Sequence, residues 1–179
     1  MGQFPAKICN SLRSEEPRIL VAGVKGAGKT TLLENLTFGE QEPPQNIQLG
    51  MQTIRYKKVK FTSLDLDSIP ANAEYEGLYH GYQGIIFILD LQDFKKMDYV
   101  ARHFKKLLEQ PELKNLPILV FGNKYDLDAK VMNLKEVSRK LELPEIKDRQ
   151  HYIHGLCALT REGLTDAMFW LFHSMKLID

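Results

Sequence analysis

Residues 23–30 fit the pattern G-x-x-x-x-G-K-[ST] and read Gly23-Val24-Lys25-Gly26-Ala27-Gly28-Lys29-Thr30. A short apolar run at residues 18–22 comes before this stretch, and residues 31–36 follow it with apolar positions at helical spacing. The order is therefore strand, glycine-rich loop, helix. In this arrangement the backbone N–H groups of the loop and the N-terminus of the helix can face an anion. Lys29 adds a positive charge, and the Thr30 hydroxyl can bind Mg²⁺. The stretch therefore predicts a phosphate-binding loop rather than an ordinary glycine-rich turn.

Composition narrows the class of protein. The chain has 179 residues, of which 44% are hydrophobic and 26% charged, so we expect one soluble globular domain. The net charge of +1 gives no support for nucleic-acid binding, and Lys57, Lys58 and Lys60 are expected on a solvated hairpin. Cys9 and Cys157 lie far apart, which fits the cytosol better than an oxidising compartment. No run reaches the ~20 apolar residues of a membrane span, and no signal peptide is recognisable.

Strand patterns follow the phosphate loop. Residues 51–56 and 59–66 predict a hairpin that reaches Asp65, where a Walker-B acid would lie. Residues 84–90 and 117–122 are continuous apolar runs between breakers, typical of strands buried on both faces. Such strands require helices above and below the sheet.

Two stretches with helical periodicity predict the helices that cover the sheet. Apolar stripes occupy residues 97–108 and 164–175, Asn133 is a plausible N-cap for a helix to residue 141, and residues 152–158 form the last strand candidate. The pattern predicts a three-layer α/β fold of the P-loop NTPase type, with a mainly parallel six-stranded sheet and helices on both faces. The ligand is expected at the carboxyl ends of the strands.

A second group of polar residues, Asn123-Lys124-Tyr125-Asp126, directly follows a buried strand and has the pattern N-K-x-D. The Asp126 carboxylate can accept hydrogen bonds from N1–H and the exocyclic amine of guanine, a pair of donors that adenine does not present. Asn123 is expected to buttress the loop, and Lys124 to lay its aliphatic stem over the base. The stretch Cys157-Ala158-Leu159 offers backbone N–H groups to the guanine oxygen.

With these motifs, the chain resembles Arf/Arl-type (ADP-ribosylation-factor-like) small GTPases over nearly its whole length. Residues 56–62 and 83–90 add to the resemblance. It implies a GTP/GDP switch that recruits effector and regulator proteins in membrane traffic, acting as a monomer on an intracellular membrane such as the Golgi. It also implies Mg²⁺ held by Thr30, with Asp65 in the outer coordination sphere. The implied nucleotide-binding residues are Lys25, Gly26, Ala27, Gly28, Lys29, Thr30, Thr31, Asn123, Lys124, Asp126, Cys157, Ala158 and Leu159.

The N-terminus is expected to be an amphipathic, lipid-anchoring segment over residues 1–16, before a G domain at residues 17–179. Gly2 permits N-myristoylation, although Ala6 stands where the usual pattern has Ser or Thr. If the segment is helical, Ile8 and Leu12 share one face. The alternative is a disordered tail.

The chain departs from the family pattern where the γ-phosphate is sensed or cleaved. The family pattern Trp-Asp-x-Gly-Gly-Gln is replaced by a stretch that ends Asp65-Leu66-Asp67-Ser68-Ile69. Ile69 takes the place of the water-orienting Gln, Ser68 replaces a glycine whose N–H meets the γ-phosphate, and Asp67 adds a carboxylate there. We therefore expect slow or absent GTP hydrolysis and assign no catalytic residue.

Two further departures concern the Mg²⁺ ligands and the phosphate loop. The switch-loop Thr that would coordinate Mg²⁺ is missing, and Asn46 or Gln48 occupies its place. Lys25 stands where Arf proteins usually carry Asp, so it is a candidate partner for Asp67 or for a phosphate oxygen.

Three function classes remain open at this stage. The first is a guanine-nucleotide switch. The second is a pseudo-GTPase that acts as a binding module or scaffold locked in one nucleotide state, which the departures at residues 67–69 favour. The third is a P-loop kinase or ATPase, which the phosphate loop alone allows and residues 123–126 oppose.

Overall fold

The computed structural model describes residues 16–36, 51–56, 58–69, 77–125 and 131–178. Four sequence predictions lie outside these residues: the N-terminal segment with Gly2, the switch loop with Asn46 and Gln48, Lys57, and Asp126.

A six-stranded sheet forms the centre of the described part of the chain, in the order β2-β3-β1-β4-β5-β6. β2 and β3 pair antiparallel, as the predicted hairpin requires, and the other four neighbouring pairs are parallel. The mainly parallel α/β fold is therefore confirmed. The strands are β1 Arg18–Gly23, β2 Gln52–Tyr56, β3 Val59–Asp65, β4 Gly84–Asp90, β5 Ile118–Asn123 and β6 His151–Leu156.

Helices cover both faces of the sheet because its central strands are apolar on both sides. Along β1, Ile19 and Val21 join one hydrophobic cluster, whereas Leu20 and Ala22 join the other. Buried apolar residues of α1 and α4 belong to the first cluster, and those of α2 and α3 to the second. Within the described residues the helices are α1 Lys29–Leu36, α2 Met97–Leu108, α3 Leu134–Lys140 and α4 Leu164–Ser174. No helix there is long and apolar enough to cross a membrane.

Element ends agree with the sequence pattern within one or two residues. Asn133 caps α3 as predicted, because its side chain accepts a hydrogen bond of 2.8 Å from the Lys135 N–H. β6 ends at Leu156, since Cys157 begins a turn, whereas the sequence predicted a strand to residue 158. β3 ends at Asp65, whose carboxylate accepts from the Asp67 N–H at 3.1 Å and starts a 3₁₀ turn.

The parallel register brings the predicted motifs to one edge of the sheet. Gly23 pairs with Asp65, so the phosphate loop and the end of β3 lie side by side. Asn123 pairs with Asp90 on one side and Leu156 on the other. The loops that follow β1, β3, β4, β5 and β6 therefore surround one location at the carboxyl ends of the strands, as open α/β sheets require.

Candidate functional site

The Lys29 side chain hydrogen-bonds to the backbone of the phosphate loop. This side chain is buried, and its ammonium donates hydrogen bonds of 2.8 Å to the carbonyls of Gly23 and Val24. It also lies 3.6 Å from an Asp65 carboxylate oxygen. Burial lowers the pKa of Lys29, and Asp65 opposes that shift only in part. Lys29 is thus a desolvated cation next to a row of loop N–H groups, a setting that favours an anionic ligand.

Two glycines of the loop are required by close approach. A Cβ on Gly28 would lie 2.1 Å from the Asn123 amide nitrogen, and one on Gly23 would lie 2.4 Å from the Ile88 carbonyl oxygen. Gly28 also has φ +101°, a backbone conformation that other residues rarely adopt. The motif glycines are therefore explained by this fold and not by chance.

Thr30 and Asp65 supply the oxygen atoms that Mg²⁺ prefers. Thr30 is exposed at the start of α1, and Asp65 lies at the end of β3 beside the loop. The described residues contain no group of three or more His, Cys, Asp or Glu side chains suited to a metal. An Mg²⁺ ion here would take its remaining ligands from phosphate and water, and the residues present fit that arrangement.

Asn123 joins the phosphate loop to the loop after β6. Its buried amide nitrogen donates to the Ala27 carbonyl at 2.9 Å, and its amide oxygen accepts from the Ala158 N–H at 3.0 Å. The next residue, Lys124, has φ +64° and donates to the Asp90 carboxylate at 2.5 Å. Sequence reasoning anticipated the buttress formed by Asn123 but not this ion pair, because no motif links Asp90 to Lys124.

A cleft of about 300 Å³ lies between these loops. Every residue that lines it belongs to the predicted nucleotide-binding set, and Cys157 is buried in its wall. The lining residues are Gly26, Gly28, Thr31, Asn123, Lys124, Cys157, Ala158 and Leu159. Lys25 and Ala27 line an adjoining cleft of about 260 Å³, while Lys29 and Thr30 begin α1 beside it. The structure therefore brings the predicted set together, except for Asp126, which lies outside the described residues.

Asp67 contacts the phosphate loop directly. One carboxylate oxygen accepts a hydrogen bond of 2.8 Å from the Lys25 backbone N–H, and the other accepts one of 2.6 Å from the Tyr99 hydroxyl. Lys25 thus meets Asp67 as the sequence suggested, although through its backbone. Burial acts to raise the pKa of Asp67, but these two hydrogen bonds and the nearby charges of His103 and Lys29 together lower it. The hydrogen bond between Tyr99 and Asp67 also raises the pKa of Tyr99.

Sequence reasoning missed two residues besides Asp90 and Tyr99. Asn35 of α1 donates to the Ala158 carbonyl at 2.9 Å, and Arg161 donates to the Asn35 side-chain oxygen at 3.3 Å. These bonds tie the helix of the phosphate loop to the turn that follows β6. A single polar residue on a helix carries no sequence signal for such a role.

The fold and the grouping of these loops define a small GTPase. Comparison with known proteins supports this class: the model of the "ADP-ribosylation factor family" matches residues 6–175. "ADP-ribosylation factor J" from Dictyostelium discoideum is 36% identical over 164 residues, covering 90% of this chain and 87% of that protein. The chain belongs to the ADP-ribosylation factor family, whose members bind guanine nucleotides.

Proposed function

We propose that this protein is an Arf-like switch protein that binds GDP and GTP with Mg²⁺ in the cleft and recruits effectors at an intracellular membrane, with weak or no intrinsic hydrolysis. One observation carries the nucleotide site. Asn123 and Ala27 lie 96 residues apart in sequence, yet their hydrogen bond holds the phosphate loop against the N-K-x-D segment. The proposal therefore assigns phosphate recognition to the phosphate loop and base recognition to the neighbouring N-K-x-D segment.

Each part of the site has a defined task in this proposal. The loop N–H groups and Lys29 bind the phosphates, and the backbone of residues 157–159 faces the guanine oxygen. Asp126 selects guanine through two hydrogen bonds. When bound by Thr30 and the phosphates, Mg²⁺ neutralises charge on the phosphate oxygens.

Replacing Asp126 by asparagine tests the base specificity. We expect Asp126→Asn to weaken GDP binding by roughly 100-fold, because each charge-assisted hydrogen bond contributes about 1.5–3 kcal/mol. The variant should gain affinity for xanthosine diphosphate, since the new amide donates to the xanthine carbonyl. Calorimetric titrations with GDP, ADP and xanthosine diphosphate measure the change.

The matched control is Asp148→Asn. Asp148 is an exposed carboxylate before β6, at the opposite edge of the sheet from the cleft, and it pairs with Arg149. This variant should keep the parental order of affinities. If the parent protein binds ADP as tightly as GDP, the assignment of a guanine site is wrong and a P-loop kinase or ATPase becomes the better interpretation.

A pseudo-GTPase locked in one nucleotide state is the second candidate function. The observation that favours it is the contact between the phosphate loop and Asp67, a residue that stands where the family pattern has glycine. Such a protein would bind partners without cycling. The test incubates the protein under exchange conditions, with and without an excess of the other nucleotide. If the protein retains the same single nucleotide to the same extent in both cases, the locked module is favoured over the switch.

Membrane attachment through the N-terminal segment is part of the proposal. Gly2→Ala, or replacement of Ile8 and Leu12 by Ser, should move the protein from the membrane to the soluble fraction. One acyl chain gives only a marginal affinity of about 10⁴ M⁻¹, so the acyl chain and the apolar side chains must act together. Cell fractionation with mass spectrometry of the N-terminal peptide measures both, and Ser11→Ala is the control. An unmodified Gly2 combined with unchanged fractionation would support the disordered tail instead.

A further inference from the structure

The Asp67 carboxylate accepts a hydrogen bond from a backbone N–H of the phosphate loop. The Lys25 N–H belongs to the loop whose amides bind phosphate oxygens, and here its acceptor is Oδ2 of Asp67 at 2.8 Å. A carboxylate is an anion with two oxygens, so it can take the place of a phosphate on such a group. Asp67 is therefore an anionic ligand supplied by the chain itself.

The turn at the end of β3 and one side chain of α2 position this carboxylate. Asp65, which is in register with Gly23, accepts from the Asp67 N–H and shapes the turn that starts at the end of β3. Between them, Leu66 is buried in the core and fixes the turn. From α2, the Tyr99 hydroxyl donates to the second oxygen of Asp67 at 2.6 Å. Both oxygens of the carboxylate are thus bound by groups of the chain itself.

The charges at this end of the site are already unfavourable for a further anion. Lys29 is buried and has an Asp65 carboxylate oxygen at 3.6 Å, and the Asp67 carboxylate is bound to the same loop at the Lys25 N–H. In phosphate loops the backbone amides hold the α- and β-phosphates, while the lysine reaches the β- and γ-phosphates. A diphosphate can use the amides that follow Lys25, whereas a third phosphate bound by Lys29 would meet the negative charges of Asp65 and Asp67.

We propose that Asp67 is a specificity-determining residue that stands in for the third phosphate and makes the site select guanosine diphosphate over guanosine triphosphate. Tyr99 is the positioning residue that orients this carboxylate. The inference rests on the proposed guanine-nucleotide site and names the nucleotide state that the site prefers. To bind a triphosphate, the protein must release Asp67 from both hydrogen bonds and then tolerate its negative charge nearby.

Equilibrium binding of GDP and of a non-hydrolysable GTP analogue, each with Mg²⁺, tests the inference in the full-length protein. We expect the parent to bind GDP at least ~100-fold more tightly than the analogue, the size expected for charged hydrogen bonds that must be given up. Asp67→Asn keeps the shape and removes the charge, so it should lower this ratio by ~10-fold. Asp67→Gly removes the competing ligand and should lower the ratio further.

The Tyr99→Phe variant tests whether Tyr99 orients the Asp67 carboxylate or only stabilises the fold. Tyr99 is 36% exposed, so loss of its hydroxyl leaves the core intact. This variant should bind the GTP analogue more tightly, with little change in GDP affinity, so the preference for GDP should fall by a few-fold. If the role of Tyr99 were purely structural, the variant would bind both ligands equally more weakly. Asp98→Asn is the matched control, because Asp98 lies on the same helix but pairs with Lys140 at 2.9 Å, away from the loop.

The outcomes separate this inference from the proposed function. Equal affinity of the parent for GDP and the analogue, or an unchanged ratio in Asp67→Gly, overturns the role of Asp67 while the guanine site stands. Failure of the parent to bind either ligand overturns the proposed function and this inference together.

Discussion

Replacement of Lys29 by alanine is expected to lower the affinity for GDP by ~100-fold or more. The ammonium is the buried cation of the phosphate loop, and each charge-assisted bond that it gives to a phosphate oxygen contributes about 1.5–3 kcal/mol. The substitution also removes the donor that the Gly23 and Val24 carbonyls share, so the closed shape of the loop loses its support. Both effects act against nucleotide binding.

Calorimetric titration with GDP measures this loss, and Lys105→Ala is the control. Lys105 is an exposed cation on α2, so its removal changes the net charge by the same amount while leaving the loop intact. Nucleotide affinity that survives Lys29→Ala would mean that the phosphate loop is vestigial and that the chain works as a binding module without nucleotide.

Hydrolysis of GTP is expected to be at least ~10²–10³-fold slower than in a relative that keeps Gln at the position of Ile69. Phosphoryl transfer depends on an oriented water and on donors or cations at the γ-phosphate. The Ile69 side chain cannot hydrogen-bond to water, and it packs against the hydrophobic cluster beneath α2. Asp67 further adds negative charge where charge must be stabilised.

Restoring one residue should therefore recover little activity. Ile69→Gln alone is expected to raise the single-turnover rate by less than ~10-fold, because Asp67 still holds the Lys25 N–H. Adding Asp67→Gly and Ser68→Gly should raise it further, by about another order of magnitude, as γ-phosphate contacts return. If the parent cleaves GTP as fast as the Gln-containing relative, a different group in this chain orients the water.

Much of the fold was predictable because its signals are local in sequence. The glycine pattern at residues 23–30 and the apolar runs of β4 and β5 each specify their own element, and parallel pairing then brings their ends together. The closeness of the phosphate loop and the N-K-x-D segment follows from that pairing. Element ends were less predictable, as β6 shows, because the last hydrogen bonds of a strand depend on its neighbour.

Contacts between side chains from distant elements were not predictable. The charge of Asp67 pointed to repulsion near the phosphates, but its bond to Tyr99 depends on how α2 lies against the end of β3. The same is true of Asn35 with Arg161 and of Lys124 with Asp90, which meet only after the sheet has formed. Such pairs have no spacing in sequence that distinguishes them from ordinary surface residues.

Identification of the nucleotide that leaves the purified protein on denaturation tests the guanine-diphosphate site most directly. Protein purified without added nucleotide should release guanosine diphosphate in a ratio close to one per chain, with little triphosphate, and Lys29→Ala prepared in parallel should release almost none. Release of an adenine nucleotide, of mainly guanosine triphosphate, or of no nucleotide from the folded parent protein would contradict it.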